Sequence, residues 1–281
     1  GFACAAGVNV VPITSRIDNG FALPPIHDFE KVITNKTKAI IICSPNNPTG
    51  YLYSREEMEA LKEICIKHNL YLFSDEAYRE FCYDGDYVSA MHLQGLEQHV
   101  VLMDTISKRY SACGARLGAF VTKNKAVYDA AMKFAQARLS PPGLAQIMGE
   151  AAVDLPDSYF DAPKKEYQRR RDLLVNRLNA MQGVFCPNPG GAFYAIAKLP
   201  IDDSDKFCQW LLEEFSYNNQ TVMLAPATGF YGTAGLGKNE VRLAYVLNLD
   251  AINAAMDCLE KALEQYPGKV VAKEEKAVLS K

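Results

Sequence analysis

The fold is decided by Lys-Ala-Ile-Ile-Ile-Cys-Ser-Pro-Asn-Asn-Pro-Thr-Gly at residues 38–50 and Leu-Tyr-Leu-Phe-Ser-Asp-Glu-Ala-Tyr at residues 70–78. The β-branched run at 38–43 predicts a strand buried on both faces, and the Pro, Asn and Gly residues that follow predict a loop. Ser54 and Glu57 form a capping-box pattern, which predicts that a helix begins there, and Asn69 ends it. The strand at 70–73 completes a βαβ unit, so the sheet is at least partly parallel.

Composition places the chain among ordinary globular proteins. It has 281 residues, 49% of them hydrophobic, and 30 Lys+Arg against 33 Asp+Glu give a net charge of −3. This balance excludes a disordered or fibrous chain. We expect no nucleic-acid partner, because phosphate contacts need clustered basic residues. We also expect no membrane partner, because no apolar run reaches the roughly 18 residues of a membrane span.

The cysteines indicate a reducing compartment. Eight cysteines are scattered along the chain without a CxxC pair, and the four histidines add no zinc-ligand spacing, so we predict no metal site. A disulfide framework belongs to small secreted domains. We therefore expect free, mostly buried thiols and a cytoplasmic location.

Further periodic segments outline two domains. Residues 8–13, 100–103 and 118–121 read as strands, and the texture changes after Pro156. Beyond it we predict a long helix at 159–181, strands at 191–196 and 240–246, and helices at 205–215 and 251–266. This pattern predicts a large domain at 1–157, a smaller domain at 158–267 and a loose tail at 268–281.

Polar side chains follow the predicted strands, where open parallel sheets bind their ligands. These residues are Asn47, Asp75, Tyr78, Thr105, Ser107, Lys108 and Arg116. Taken one at a time, each has an ordinary structural explanation: a tight turn, a helix cap or a solvated lysine. Their occurrence together favours a functional site.

These motifs resemble those of the class I/II aminotransferases, pyridoxal-phosphate (PLP) enzymes of fold type I, and are most similar to the aspartate aminotransferase subgroup. The matching segments are 44–50, 74–78, 107–118 and 241–243, and the resemblance runs from about residue 1 to about residue 267. It implies an α/β fold with a mainly parallel sheet in the large domain and a smaller C-terminal α+β domain. It also implies that the large domain is incomplete at its N-terminus, because family members carry a further segment there.

The resemblance also implies roles for single residues. Lys108 forms the Schiff base with PLP and shuttles the substrate's α-proton, and Asp75 pairs with the pyridine nitrogen. Asn47 and Tyr78 donate to the ring's phenolate oxygen, and Asn47 also borders the substrate. The cofactor phosphate is held by Arg116 with the hydroxyls of Thr105 and Ser107. Arg242 binds the substrate α-carboxylate.

The function that the resemblance implies is transfer of an amino group from an L-amino acid, with aspartate as the candidate donor. The acceptor is a 2-oxo acid such as 2-oxoglutarate, and the kinetics are ping-pong. Family members work as homodimers with sites at the subunit interface. Two alternatives stay open: a PLP-dependent carbon–sulfur β-lyase, which needs the same residues, and an inactive fragment of either enzyme.

Overall fold

Four strands form the first sheet of the computed structural model, which describes residues 2–270. They are β1 (Ala39–Cys43), β2 (Tyr71–Asp75), β3 (Val100–Thr105) and β4 (Gly118–Val121), hydrogen-bonded in the order β1-β2-β3-β4. The first three strands run parallel, and β4 runs antiparallel to β3. The predicted α/β class with a mainly parallel sheet is confirmed.

The helix that follows β1 shows how the sequence directs this layer. Helix α3 (Arg55–His68) begins at Ser54, whose hydroxyl accepts from the Glu57 amide while the Glu57 carboxylate accepts from the Ser54 amide. Asn69 ends the helix with a left-handed φ of 52°. The buried face of α3 packs with β1–β3 in one hydrophobic core: Met58, Leu61, Ile64, Cys65, Ile42, Leu72, Val100 and Leu102.

Two details of the prediction are wrong. Strand β1 is not buried on both faces, since Ile42 is 6% exposed but Ile41 is 70% exposed. It is an edge strand, and among residues 2–270 only one of its faces is covered by α3. Residues 8–13 form no strand and are largely exposed. A strand exists only through pairing with a neighbour, and none of the described strands pairs with this segment.

The remaining helices of the first half are mostly exposed, apart from the half-buried turn at Ile106–Arg109. They are α1 (Phe2–Ala5), α2 (Ile26–Val32), the single turn α4 (Ile106–Arg109), α5 (Lys125–Arg138) and α6 (Gly143–Val153). The sequence did not predict α5 or α6. No residue of α5 is buried, and the α6 side chains Leu144, Ile147 and Val153 are 84%, 65% and 77% exposed.

A second sheet follows the long helix α7 (Ser158–Ala180). Its strands are β5 (Tyr194–Lys198), β6 (Ala225–Pro226) and β7 (Glu240–Ala244), in the order β5-β7-β6. Helices α8 (Ser204–Glu213) and α9 (Leu249–Gln265) complete this part. The predicted helices and the strand at 240–246 agree with these elements to within a few residues. None of the helices within residues 2–270 is long and apolar enough to cross a membrane.

The chain divides into two compact units. The first comprises Gly1–Arg169 with Pro189–Tyr194, and the second comprises Arg170–Asn188 with Ala195–Lys281. This division into compact units does not test the domain limits expected from the sequence, at residues 157 and 267, which remain a prediction. Most of the predicted tail, residues 271–281, lies outside the described residues.

Candidate active site

The carboxyl ends of β1, β2 and β3 meet at one edge of the first sheet. Cys43 is paired in register with Asp75, and Asp75 is paired with Met103. The loops that leave these three neighbouring strands carry Asn47, Tyr78 and Lys108 respectively. Parallel pairing therefore gathers residues that are far apart in sequence, as the strand-end argument predicted.

Tyr78 is the centre of a short hydrogen-bond chain. The side-chain amide of Asn47 donates to the Tyr78 hydroxyl at 3.5 Å, and that hydroxyl donates to the Tyr194 hydroxyl at 3.3 Å. Tyr78 is only 5% exposed. Burial, and then the bond to Tyr194, raises the pKa of Tyr78 well above its usual value. Tyr78 therefore stays a neutral phenol that can donate a hydrogen bond across the physiological range.

The amine of Lys108 lies to one side of a pair of adjacent aromatic rings. Its Nζ is 5.9 Å from the ring centroid of Tyr78 and 5.9 Å from that of Phe193. The Tyr78 and Phe193 rings meet edge to face, and Phe193 stacks on Tyr167 with centroids 5.4 Å apart. Ring faces attract an ammonium group, so this arrangement restrains the amine at the sheet edge.

Two hydroxyls shape the turn that carries Lys108. The Thr105 and Ser107 hydroxyl oxygens are 2.7 Å apart, and Thr105 Oγ1 caps α4 by accepting from the Ser107 amide at 3.1 Å. Thr105 Oγ1 also donates to the Leu117 carbonyl at 2.9 Å. The two hydroxyls therefore lie together at the N-terminal end of the turn, one of them already engaged with the backbone.

Arg116 reaches the same edge by a different route. Because β4 is antiparallel to β3, its first residue Gly118 is paired with Thr105, and Arg116 stands just before it. Arg116 has a left-handed φ of 57°, and its guanidinium donates to the Cys113 carbonyl at 2.9 Å. Its side chain is exposed. The backbone of Arg116 is thus near the Thr105 strand end, while its guanidinium is bonded within its own turn.

Asp75 ends β2 with a half-buried carboxylate. Its Oδ1 accepts from the Ala77 amide at 3.1 Å. The pKa of the neighbouring Cys43 thiol is raised to about 12, first by burial and then by the Asp75 side chain. Cys43 therefore stays protonated beside Asp75, leaving the carboxylate as the charged group at this position.

Sequence reasoning missed two parts of this cluster. It predicted a strand at 191–196 but gave no role to Phe193 or Tyr194, although both contact Tyr78. The signal available in the sequence was the glycine pair at 190–191, and the structure gives its reason: a Cβ on Gly191 would lie 2.7 Å from the Phe81 carbonyl oxygen. It also missed Glu76, which is fully buried directly after Asp75.

Arg242 belongs to the second unit. It lies on β7 opposite Ala225 of β6, and its guanidinium carbon is 4.8 Å from the Phe230 ring centroid. Its strand neighbours Val241 and Leu243 are buried, whereas Arg242 is half-buried. An arginine held this way by a buried strand presents a fixed fork of donors suited to a carboxylate.

Comparison with known proteins adds independent information. The model of the family "Aminotransferase class I and II" matches residues 3–232. The chain is 34% identical to the putative aminotransferase YugH of Bacillus subtilis over 92% of this chain and 65% of that protein. It is 32% identical to aromatic-amino-acid aminotransferase 2 of Thermococcus litoralis, over 92% of this chain and 66% of the relative.

A solved structure gives the same result for the fold. The crystal structure of aspartate aminotransferase from Thermotoga maritima superposes with a TM-score of 0.82 at 30% identity, covering 92% of this chain and 65% of that one. The chain thus spans about 65% of the length of the proteins that it matches. Since the family model covers well over half of the sequence, the chain belongs to the class I and II aminotransferase family.

Proposed function

We propose that this chain takes part in PLP-dependent transfer of an amino group between an amino acid and a 2-oxo acid. The observation that carries the proposal is the Lys108 amine, which lies 5.9 Å from the ring centroids of both Tyr78 and Phe193, with the Asn47–Tyr78 hydrogen bond beside it. An amine, a neutral phenol and a carboxylate at one sheet edge form a donor and acceptor set suited to a charged aromatic aldehyde.

The residues present fit PLP by their chemistry. Lys108 is the amine for the aldehyde, and Asp75 is the acceptor for a protonated pyridine nitrogen. Tyr78 and Asn47 supply donors for the phenolate oxygen, in keeping with the raised pKa that holds Tyr78 protonated. When bound, PLP supplies an electron sink for negative charge at the substrate α-carbon.

The chain's own groups then have separate tasks. With PLP bound, the Lys108 amine would be the base that takes the proton from the substrate α-carbon and later gives it back. Asp75 would accept a hydrogen bond from the ring nitrogen and so favour its protonated form. We assign the phosphate to Arg116, Thr105 and Ser107. The Arg116 guanidinium must leave the Cys113 carbonyl to take this role.

Substrate binding is assigned to Arg242 and Asn47. Arg242 offers a bidentate fork for the α-carboxylate, and its position over the Phe230 ring limits the directions in which it can turn. We propose aspartate as donor and 2-oxoglutarate as acceptor. Relatives named for aspartate and for aromatic amino acids match at 30% and 32% identity. The activity with aspartate should therefore be compared with the activity with an aromatic amino acid.

We also propose that the working unit is a homodimer in the cytoplasm. Exposed apolar side chains on α6, such as Leu144, Ile147 and Val153, offer a surface that a second copy would cover. All eight cysteines are free, five of them buried, which suits a reducing compartment. Sedimentation velocity tests the dimer: a monomer at all concentrations would contradict it.

The cofactor assignment is tested by chemical trapping. The purified chain is treated with PLP and then borohydride, and its peptides are searched by mass spectrometry for a phosphopyridoxyl group. We expect the group on Lys108 and its loss from that peptide in Lys108→Ala. Lys125→Ala is the matched control, because Lys125 is an 83% exposed lysine in α5. Labelling spread evenly over exposed lysines would contradict the assignment.

The reaction is tested by following glutamate formed from 2-oxoglutarate, with aspartate and with phenylalanine as donors. We expect transfer that disappears in Lys108→Ala and survives in Lys125→Ala. Failure to transfer an amino group to any 2-oxo acid, in unreduced protein from a preparation whose borohydride-treated sample is labelled on Lys108, would contradict the proposed reaction while leaving the cofactor site intact.

A further inference from the structure

An ion-pair cluster lies on the flanks of the Lys108 turn. Asp104 precedes the turn as the second-last residue of β3, and Arg109 ends it as the last residue of α4. Arg109 Nη2 and Asp104 Oδ2 are 2.5 Å apart, and these side chains are only 9% and 15% exposed. Thr105 and Lys108 lie between the two partners in sequence, so this ion pair closes a ring around the turn.

The cluster also reaches the loop that carries Tyr78. Arg79 Nη1 lies 3.5 Å from the same Asp104 oxygen, and Arg79 Nε lies 3.4 Å from Glu80 Oε1. Arg109 Nη1 lies 3.8 Å from that Glu80 oxygen. Two arginines and two carboxylates balance in charge, and together they join the loop after β2 to the turn after β3.

The position of Arg109 uses both arms of an arginine side chain. Its two terminal nitrogens face two different carboxylates, Asp104 and Glu80, as a planar fork does. Its Nε is buried and has no hydrogen-bond partner among residues 2–270. An unpaired buried N–H is unfavourable. Arg109 keeps its Nε in this state while its two terminal nitrogens face Asp104 and Glu80. A lysine has one charged nitrogen, so it cannot face the two carboxylates from two separate nitrogens as this guanidinium does.

The turn needs such a support. Helix α4 has four residues, too few to persist through its own hydrogen bonds. At its start, the Thr105 amide donates to Asp104 Oδ1 at 2.7 Å, so one Asp104 oxygen binds the backbone and the other binds Arg109. The same carboxylate thereby fixes both ends of the segment that carries Lys108.

We propose that Asp104 and Arg109 are positioning residues, which form a clamp that holds the Lys108 amine against the Tyr78 and Phe193 rings. Arg79 and Glu80 tie this clamp to the Tyr78 loop. The importance of Lys108 rests on the proposed function, but the clamp itself is a property of this chain with or without a cofactor. Its loss frees the amine to move away from the rings into solvent.

The test measures how readily the Lys108 amine reacts. Wild-type chain and variants are methylated with formaldehyde and cyanoborohydride, well below their unfolding temperatures, and the Lys108 rate is divided by that of exposed Lys125 in the same sample. In Arg109→Lys and Asp104→Asn we expect this ratio to rise about threefold or more, because local opening exposes the amine. Arg169→Met is the matched control: it removes an arginine from an exposed ion pair with Glu166.

Each outcome decides the proposal. A ratio unchanged in folded Arg109→Lys and Asp104→Asn overturns it, as does an equal rise in Arg169→Met or a wild-type Lys108 that already reacts as fast as Lys125. If Arg109→Lys does not fold, Asp104→Asn, which removes charge at nearly constant shape, decides alone. A wild-type chain that takes up no PLP on Lys108 contradicts the proposed function, whereas the methylation ratio tests the clamp in either case.

Discussion

Glu76 gives the sharpest test of how this sheet edge is built. The side chain is fully buried, yet it accepts three hydrogen bonds of 2.9 Å: from the Ser74 hydroxyl, the Ser89 hydroxyl and the Ala90 amide. Burial raises the pKa of Glu76 above its ordinary value of 4.5, and these donors only partly offset the effect. The folded state therefore holds a proton on Glu76 more tightly than the unfolded chain does.

The sign of the pH effect follows from this difference. Below pH 4.5 Glu76 is protonated in both states, and its contribution to stability is then at its most favourable. As pH rises, the unfolded chain releases the proton first, so the free energy of unfolding falls by up to about 1.4 kcal/mol per pH unit. The fall stops once pH passes the folded-state pKa.

Glu76→Gln removes this titration at constant shape. Its amide oxygen can keep the bonds from Ala90 and Ser74, and its amide nitrogen can donate to the Ser89 hydroxyl. At low pH we expect the variant to lie within about 1 kcal/mol of wild type, because its amide oxygen keeps two of the three bonds and its amide nitrogen replaces the third. As pH rises, only the wild type loses stability through this group, so the variant becomes relatively more stable.

The assay is urea unfolding of wild type and Glu76→Gln at intervals from about pH 5 to about pH 8. Glu97→Gln is the control: backbone amides lower the pKa of Glu97 from 4.5, so its contribution changes only below that pH, and the difference between this variant and wild type should stay constant over the assay range. The reasoning is refuted if the difference between Glu76→Gln and wild type stays constant with pH, or if the variant becomes relatively less stable as pH rises.

Three further predictions concern packing, capping and thiol reactivity. Gly191→Ala places a Cβ 2.7 Å from the Phe81 carbonyl oxygen and should lower stability by about 1–3 kcal/mol in thermal unfolding; a variant as stable as wild type would contradict the contact. Ser54→Ala removes the N-cap of α3 and should lower the free energy of unfolding in urea by about 1 kcal/mol; an unchanged free energy would contradict a stabilising role of the cap. Burial raises the pKa of Cys65 to about 12, so iodoacetamide at about pH 8 should label exposed Cys113 first, and faster labelling of Cys65 would contradict its burial.

The sequence predicted elements whose signals are local. The capping box at Ser54 and the apolar stripe of α3 lie within one helix, so both could be recognised without knowing what they pack against. Helices α5 and α6 were missed because their apolar side chains are largely exposed and follow no stripe set by a core. Exposure of Ile41 was missed for a related reason: a run of isoleucines does not tell which face of a strand is covered.

The candidate site was predictable as far as strand order determines it. Parallel pairing of β1, β2 and β3 brings the Asn47, Tyr78 and Lys108 loops to one edge. The hydrogen bond from Tyr78 to Tyr194 spans 116 residues, and no short motif encodes such a contact. Asp104 and Arg109 are only five residues apart in sequence, but their side chains meet only because the chain turns between them.

Apolar packing holds the strands of the first sheet, whereas hydrogen bonds and ion pairs hold the loops at their carboxyl ends. This difference explains the arrangement of the site. Below the edge, apolar side chains of α3 and β1–β3 are tightly buried, which fixes the strands but leaves the direction of each loop open. At the edge, polar networks take over: Glu76 ties the end of β2 to residues 89 and 90, and Asp104 ties β3 to Arg109. Hydrogen bonds and ion pairs have directional geometry that apolar contacts lack. Loops that must hold an amine and a phenol a few ångströms apart are therefore anchored by buried polar groups immediately beside the residues that they position.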